Sequence, residues 1–309
     1  GGRVGSCELK METEMETEME TEMETGTRTG RGTERSTRRP PGGRALHELR
    51  LLGIALQFLT RVPVRVGRFE PSWLADSARH FPLVGALVGA FGGATLWGAA
   101  TLWPLPLAVA LSMAATAWIT GGFHEDGLAD TCDGLGGAVD REKALAIMKD
   151  SRLGTYGALG LLFVLGLKAC ALWTLSTESV ALAAVALVLA HGVSRAAAVA
   201  VTTLLPYGGD TGHAKALPMT RRGGVPRAAA APAWTAAFAV ASGSAMPDAL
   251  VPLRIALALG CAAAVMLGCA SWLRRRLDGY TGDTLGAVQQ FSELATYLAL
   301  CALPGAGVP

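Results

Sequence analysis

Three aspartates in the middle of this sequence have a spacing that suits metal chemistry. Asp126, Asp130 and Asp133 stand at positions i, i+4 and i+7 of the segment GGFHEDGLADTCDG. If this segment is helical, the three carboxylates project from one face and repel each other. A divalent cation removes that repulsion, and Mg²⁺ prefers carboxylate oxygens while keeping water or phosphate oxygens in its shell. The spacing therefore predicts an acidic face that holds Mg²⁺ against a phosphorylated substrate. The alternative is a solvated acidic face between glycine-rich turns.

Other polar segments offer groups for the same chemistry. Lys149 and Arg152 follow the aspartates within MKDSRLGTYG, and both side chain types can hold phosphate oxygens. Near the C-terminus, Asp283 lies in GYTGDTLG, where it could bind a cation, orient a nucleophile or serve only in turn and helix-cap chemistry. The second polar segment of the chain runs over residues 206–228.

Charged residues also interrupt the apolar segments. His191 and Arg195 are four residues apart, and Lys168 and Glu293 lie within long apolar runs. Ionisable groups at membrane depth are costly and usually face the interior of a helix bundle. Arg195 could reach a substrate phosphate, or it could be an internally paired or snorkelling charge. The second interpretation is the one we expect for Lys168.

The composition is that of a membrane protein. Of 309 residues, 51% are hydrophobic and 17% are charged, whereas soluble domains carry about 25% charged residues. Several runs approach the ~20 apolar residues that cross a bilayer. We predict an all-α, polytopic transmembrane bundle of about seven spans, preceded by an interfacial helix over 46–64. The predicted spans lie near 83–103, 105–121, 157–176, 179–204, 229–246, 250–273 and 286–303.

The order of these spans predicts where the polar segments lie. Two spans separate the first polar segment, 122–156, from the second, and two more separate the second from the third, 274–284. All three segments are therefore expected as loops on one membrane face that together form the site. Arginines at 221, 222, 227 and 274–276 place that face in the cytoplasm by the positive-inside bias. Glycines at 85, 89, 92 and 93 allow close helix contact.

The N-terminal region differs from the rest of the chain. Residues 1–43 contain a Met-Glu-Thr-Glu repeat and a Gly/Arg/Thr tract, which predict a disordered extension or a mis-called start. The membrane domain is then 44–309. Six cysteines include no CxxC pair, so no disulfide framework is expected. The net charge of +2 gives no indication of a nucleic-acid-binding surface.

Taken in order, the motifs resemble one enzyme family. They look like the motifs of adenosylcobinamide-GDP ribazoletransferase, also called cobalamin synthase. In chain order the matching stretches are FLTRVPV, HFPLVGALVG, GGFHEDGLADTCDGLGG, MKDSRLGTYGALG and GYTGDTLGA. The resemblance covers roughly residues 45–303. It implies an Mg²⁺-dependent enzyme in the bacterial inner membrane. Such an enzyme joins adenosylcobinamide-GDP to α-ribazole, or to α-ribazole 5′-phosphate, and releases GMP.

The resemblance also suggests roles for the acidic residues. Asp126, Asp130 and Asp133 would hold one or two Mg²⁺ ions on the diphosphate, and Asp283 would complete the metal site. Asp126, Asp130 or His124 would take the proton of the attacking ribose hydroxyl. Such a reaction needs charge neutralisation and alignment more than covalent help.

The basic residues are expected to hold the substrate phosphates. Lys149 and Arg152 would steady phosphate oxygens beside the metal, and Arg195 would add a third cation. These three assignments rest on charge and on position in the motifs, because Arg can grip phosphate with two parallel hydrogen bonds.

Two alternatives remain open from the residues. A CDP-alcohol phosphotransferase also carries aspartates at helical spacing, but here Asp126-Gly127 is followed by Leu-Ala-Asp with no arginine until Arg141. A transporter would use His191 and Arg195 to line a path. The clustering of polar residues between the apolar runs favours the enzyme.

Overall fold

The computed structural model describes residues 41–65, 70–137, 140–209, 225–245 and 250–303, and these residues are almost entirely helical. Its helices are α1 (Pro41–Leu59), α2 (Pro71–Ser77), α3 (Phe81–Ala100), α4 (Leu105–Thr120), α5 (Phe123–Gly137), α6 (Arg141–Met148), α7 (Thr155–Glu178), α8 (Val180–Leu204), α9 (Val225–Ala245), α10 (Val251–Leu277) and α11 (Gly282–Cys301). A 3₁₀ turn, Ala78–His80, joins α2 to α3. The predicted all-α class is confirmed.

Four segments of the described chain are long and apolar enough to cross a membrane. They are Ser72–Ala100, Thr155–Glu178, Val180–Leu204 and Val251–Leu277, and α4 with α5 gives a fifth if that bent pair is one span. Each of the seven predicted spans overlaps one of the helices α3, α4 and α7–α11. The helical membrane bundle is therefore confirmed, while the count of about seven spans stays a prediction.

Helix α8 forms the centre of the bundle. Of the 18 residues in its most apolar stretch 72% are buried, against 28% for α7 and for α10. Helix α3 packs closely on it, because Gly85 faces the carbonyl oxygen of His191 and Gly89 faces that of Leu187, where a Cβ atom would clash. The predicted role of these glycines in close helix contact is confirmed.

A turn of two glycines sets the direction of the acidic segment. Gly121 and Gly122 have φ angles of 72° and 73°, in the left-handed region that glycine adopts without steric cost. They end α4 and bend the chain by 89° into α5. The polar segment 122–156, which we expected to be a loop, is thus largely helical. The reason is that Leu128 of α5 is fully buried in an apolar cluster with Val164 and Ala287.

The remaining polar segments converge near the start of α11. Tyr207 and Tyr280 form a short parallel bridge, in which the amide of Gly208 donates to the carbonyl of Tyr280 at 2.8 Å. Arg141 of α6 donates to the carbonyls of Leu277 and Gly208 at 3.0 and 2.6 Å. These bonds hold together three parts of the chain that are distant in sequence. Such contacts are expected if the three polar segments lie on one membrane face.

Two predictions concern residues that lie mostly outside the described ranges. The polar residues at 210–224 of the second predicted loop lie outside the described residues, and so do residues 1–40 of the predicted extension.

Candidate active site

The acidic face lies on α5, directly after the two-glycine turn. Asp126 is exposed and Asp130 is half-buried, one helical turn apart on the same side of the helix. The i, i+4 spacing therefore does place two carboxylates on one face, as predicted. Among the described residues, no basic side chain forms an ion pair with either of them.

Helix α11 brings a further carboxylate to this face. Its first turn packs on α5, where a Cβ atom on Gly127 would lie 2.7 Å from the carbonyl oxygen of Asp283. Thr281 and Thr284 cap the helix reciprocally, with the amide of Thr284 donating to Thr281 Oγ1 at 3.2 Å. The threonines thus supply the cap, which leaves the carboxylate of Asp283 for the site.

Electrostatics confirm that these carboxylates crowd each other. Asp130 lies on α5, outside the four candidate spans, and its pKa rises to about 7. Burial is the main cause, and the negative charges of Asp126, Asp283 and Asp133 add to it. The pKa of Asp283 is raised by burial and by Asp126. Repulsion of this kind favours a bound cation.

The donor set fits a hard divalent cation. All of its members are carboxylates, and oxygen ligands are the ones that Mg²⁺ prefers. Within the described parts of the chain, no group of three His, Cys, Asp or Glu side chains is already arranged around a common metal position. Asp126, Asp130 and Asp283 are the candidates to hold Mg²⁺, and this assignment stays a prediction.

Asp133 differs from the other aspartates. Its side chain is buried, and its carboxylate oxygens accept the amide hydrogens of Gly154 at 2.7 Å and Gly157 at 2.8 Å. These bonds fix the start of α7, and the segment before it, against α5. The structure gives Asp133 a positioning role, while its predicted metal role is untested.

The predicted phosphate ligands occupy two different environments. Lys149 follows α6 and Arg152 precedes α7, and both side chains are exposed. Arg152 forms a two-pronged pair with Asp150, and its side chain is 87% exposed. Arg195 is instead 3% exposed on α8, where it donates to the carbonyl oxygen of His191 at 3.0 Å.

A cavity of about 190 Å³ lies behind α5 and is lined by residues of α4, α5, α7, α8 and α11. We call it the chamber. His124 and Glu125, the two residues before Asp126, form its end nearest the acidic face, and Arg195 lines it from α8. His124 is 5% exposed, so it faces the bundle interior rather than the open side of α5.

A buried ionic network forms one wall of the chamber. Lys168 donates to Glu293 at 2.8 Å and to Gln290 at 2.6 Å, and Gln290 in turn donates to Glu125 at 3.1 Å. The expected internal pairing of Lys168 is thus observed. The sequence analysis missed the two glutamines, Gln289 and Gln290, although with Glu293 they form a polar stripe at helical spacing in an otherwise apolar helix.

Arg141 was also missed as a positioning residue. Its bonds to two backbone carbonyls hold α6 against the segment that leads into α11, and nothing in its local spacing indicates these distant partners.

Comparison with known proteins gives one consistent family. A family model described as cobalamin-5-phosphate synthase matches residues 51–301. The chain is 59% identical over 255 residues to a protein of Leptothrix cholodnii named adenosylcobinamide-GDP ribazoletransferase, covering 82% of this chain and 95% of that protein. Proteins with the same name from Shewanella amazonensis and Ralstonia nicotianae are each 41% identical, covering 83% and 82% of this chain and 96% and 95% of their own lengths. No solved structure matches.

Proposed function

This chain belongs to the cobalamin-5-phosphate synthase family, and from that premise we propose that it joins adenosylcobinamide-GDP to α-ribazole, or to α-ribazole 5′-phosphate, with release of GMP. The observation that carries the proposal is the convergence of Asp126 and Asp130 of α5 with Asp283 of α11. Both substrates carry or receive a phosphate, and the protein supplies carboxylates that need a cation to coexist.

The reaction makes and breaks one bond each at a single phosphorus. A ribose hydroxyl oxygen of α-ribazole attacks the cobinamide-side phosphorus of the diphosphate, and the bond from that phosphorus to the GMP oxygen breaks. Mg²⁺, when bound, neutralises the diphosphate and the charge that develops on the leaving GMP. The protein then has to orient the two substrates and remove one proton.

The described residues divide these tasks between the two sides of α5. On its open side, Asp126, Asp130 and Asp283 would hold the cation, and Lys149 and Arg152 would steady phosphate oxygens. The hydroxyl proton would pass to Asp126 or Asp130, or to His124 on the buried side. Asp133 keeps the segment 150–154 in place.

The arginines of the chain indicate which side of the membrane the site faces. The chain is membrane-embedded, and its site is proposed to face the cytoplasm of a bacterial inner membrane. Support comes from the three consecutive arginines, Arg274–Arg276, in the last turn of α10.

The decisive experiment measures GMP release by the full chain in detergent, with adenosylcobinamide-GDP and α-ribazole, before and after removal of Mg²⁺ by a chelator. We expect GMP and the cobalamin product in equal amounts, lost on chelation and restored by added Mg²⁺. CDP-alcohol substrates serve as the comparison. Nucleotide release from CDP-alcohols alone, by folded protein, would overturn the proposal.

A further inference from the structure

The chamber is not used by the metal and phosphate chemistry on the open side of α5, yet it ends at the same helix. Its long walls are apolar, formed by Ala117 of α4, Leu165 and Leu172 of α7 and Leu187 of α8. A cavity of about 150 Å³ is enough to hold a benzene ring, so the observed 190 Å³ suits a small aromatic ring system.

The charges that line the chamber are balanced. Lys168 is bound to Glu293, and Arg195 and Glu125 add one charge of each sign. A phosphate placed here would meet the carboxylates of Glu125 and Glu293, and Lys168 is already paired with Glu293. Because burying an uncompensated charge is costly, the chamber suits a neutral group.

Three polar atoms of residues that line the chamber have no partner among the described residues. They are Nε of Arg195, a donor on a side chain that is 3% exposed, Oε2 of Glu125, an acceptor, and the hydroxyl of Tyr297. Buried polar atoms are normally hydrogen-bonded, so each such exception needs an explanation. A ligand that offers one acceptor and one donor would satisfy the atoms of Arg195 and Glu125.

We propose that the chamber binds the base of α-ribazole, an inference that rests on the proposed function. This base is a neutral, bicyclic aromatic dimethylbenzimidazole whose free ring nitrogen accepts the hydrogen bond of Arg195 Nε. A ribose hydroxyl donates to Glu125 Oε2, one residue from Asp126. The rings lie between the apolar walls, and the sugar passes His124 towards the acidic face. Arg195 thereby serves base recognition, in place of the phosphate contact predicted from the sequence.

The chain offers a matched test of this placement. Ala117→Leu fills the chamber, whereas Ala110→Leu makes the same change at an exposed position of α4 outside it. Ala198→Leu fills a separate apolar cavity of about 70 Å³, lined by Phe58, Phe81 and Phe123, on another side of His124. The KM for α-ribazole and the KM for adenosylcobinamide-GDP are measured for all three variants. Circular dichroism and thermal unfolding check that each variant folds.

We expect Ala117→Leu to raise the KM for α-ribazole at least about tenfold, as steric exclusion from a pocket does, with the other KM unchanged. Ala110→Leu should leave both values as in the wild type. An unchanged KM for α-ribazole in Ala117→Leu, or a rise in Ala198→Leu only, would overturn the placement. A wild-type protein that releases no GMP would instead contradict the proposed function.

A second variant covers the case in which Ala117→Leu does not fold. Glu125→Gln keeps the shape of the side chain and removes its charge, so it should raise the KM for α-ribazole and weaken direct binding of α-ribazole in calorimetry by about tenfold. The Kd of free dimethylbenzimidazole should change less, because that probe lacks the ribose. Equal loss for both probes, or no loss for either, would contradict the hydrogen bond to the ribose.

Discussion

At the residue scale, burial separates the aspartates of α5 by task. Asp126 and Asp130 lie towards the open side, without a basic partner in the described chain, whereas Asp133 is buried and accepts two backbone hydrogen bonds. Residues of one type at regular spacing therefore have two different roles, which substitutions can distinguish.

Asp126→Asn should reduce GMP release by roughly 10²–10³-fold, the loss expected when one group that stabilises transition-state charge is removed. The change keeps the size of the side chain, so the unfolding temperature should stay near that of the wild type. Glu142→Gln, at an exposed position on α6, is the matched control and should keep full turnover. Full turnover by Asp126→Asn would remove this residue from the metal site.

Asp133→Ala should act mainly on structure. It leaves the amides of Gly154 and Gly157 without their acceptor, at a cost of about 1–3 kcal/mol for each buried group left unpaired. We expect a lower unfolding temperature and faster hydrogen exchange at these two amides. If exchange stayed slow while Mg²⁺ affinity collapsed, Asp133 would be a metal ligand and not a positioning residue.

At the element scale, the site depends on how closely α11 approaches α5. Because Gly127 has no side chain, the backbone of Asp283 approaches it more closely than a Cβ atom would allow. On the other side of the contact, Gly286 lies against His124 and Gly127. The pair of glycines thus sets the position of a carboxylate that is distant in sequence.

Gly127→Ala should displace the start of α11 and lower turnover by about 100-fold, because misplacement by about 1 Å is enough for such a loss. Gly98→Ala, in α3, is the control, since a Cβ atom there meets nothing within 4 Å. That control should be neutral or slightly stabilising. Equal turnover in the two variants would show that the approach of α11 does not position the site.

At the scale of the whole molecule, a buried charge pair joins helices that are far apart in sequence. Lys168 of α7 and Glu293 of α11 are 4% and 5% exposed and lie 2.8 Å apart. Such a pair adds little net stability, but removing one member leaves the other charge buried and alone.

Lys168→Met should therefore destabilise the fold by about 3–5 kcal/mol, measured by denaturation in mixed detergents. The double variant Lys168→Met/Glu293→Leu should recover much of this loss, because no charge then remains unpaired. A double variant less stable than Lys168→Met would contradict this account of the pair.

The bundle also predicts which positions share a membrane face. Ser151→Cys and Arg275→Cys, in a chain whose native cysteines are replaced, should react with a membrane-impermeant maleimide from one side only, the cytoplasmic one. Thr177→Cys, near the short turn between α7 and α8, should react from the other side. Reaction of Ser151→Cys and Arg275→Cys from opposite sides would break the common face and the predicted site.

Local features of the sequence were enough to predict the apolar helices, the membrane class and the two carboxylates on one face of α5. Apolar length and i, i+4 spacing act within a few turns of one helix, so they can be inferred without knowing any partner. The motifs likewise identified the family, which the comparisons confirm.

Only the tertiary structure decided which groups meet. Asp133 has the same local spacing as its neighbours, but the packing of α7 on the end of α5 turns it into a backbone acceptor. The pairing of Lys168 with Glu293, the tie from Arg141 to Leu277 and the closing of the chamber join residues more than 100 positions apart. Such contacts depend on how whole helices pack, and the spacing of residues along one helix carries no information about the helix that will face it.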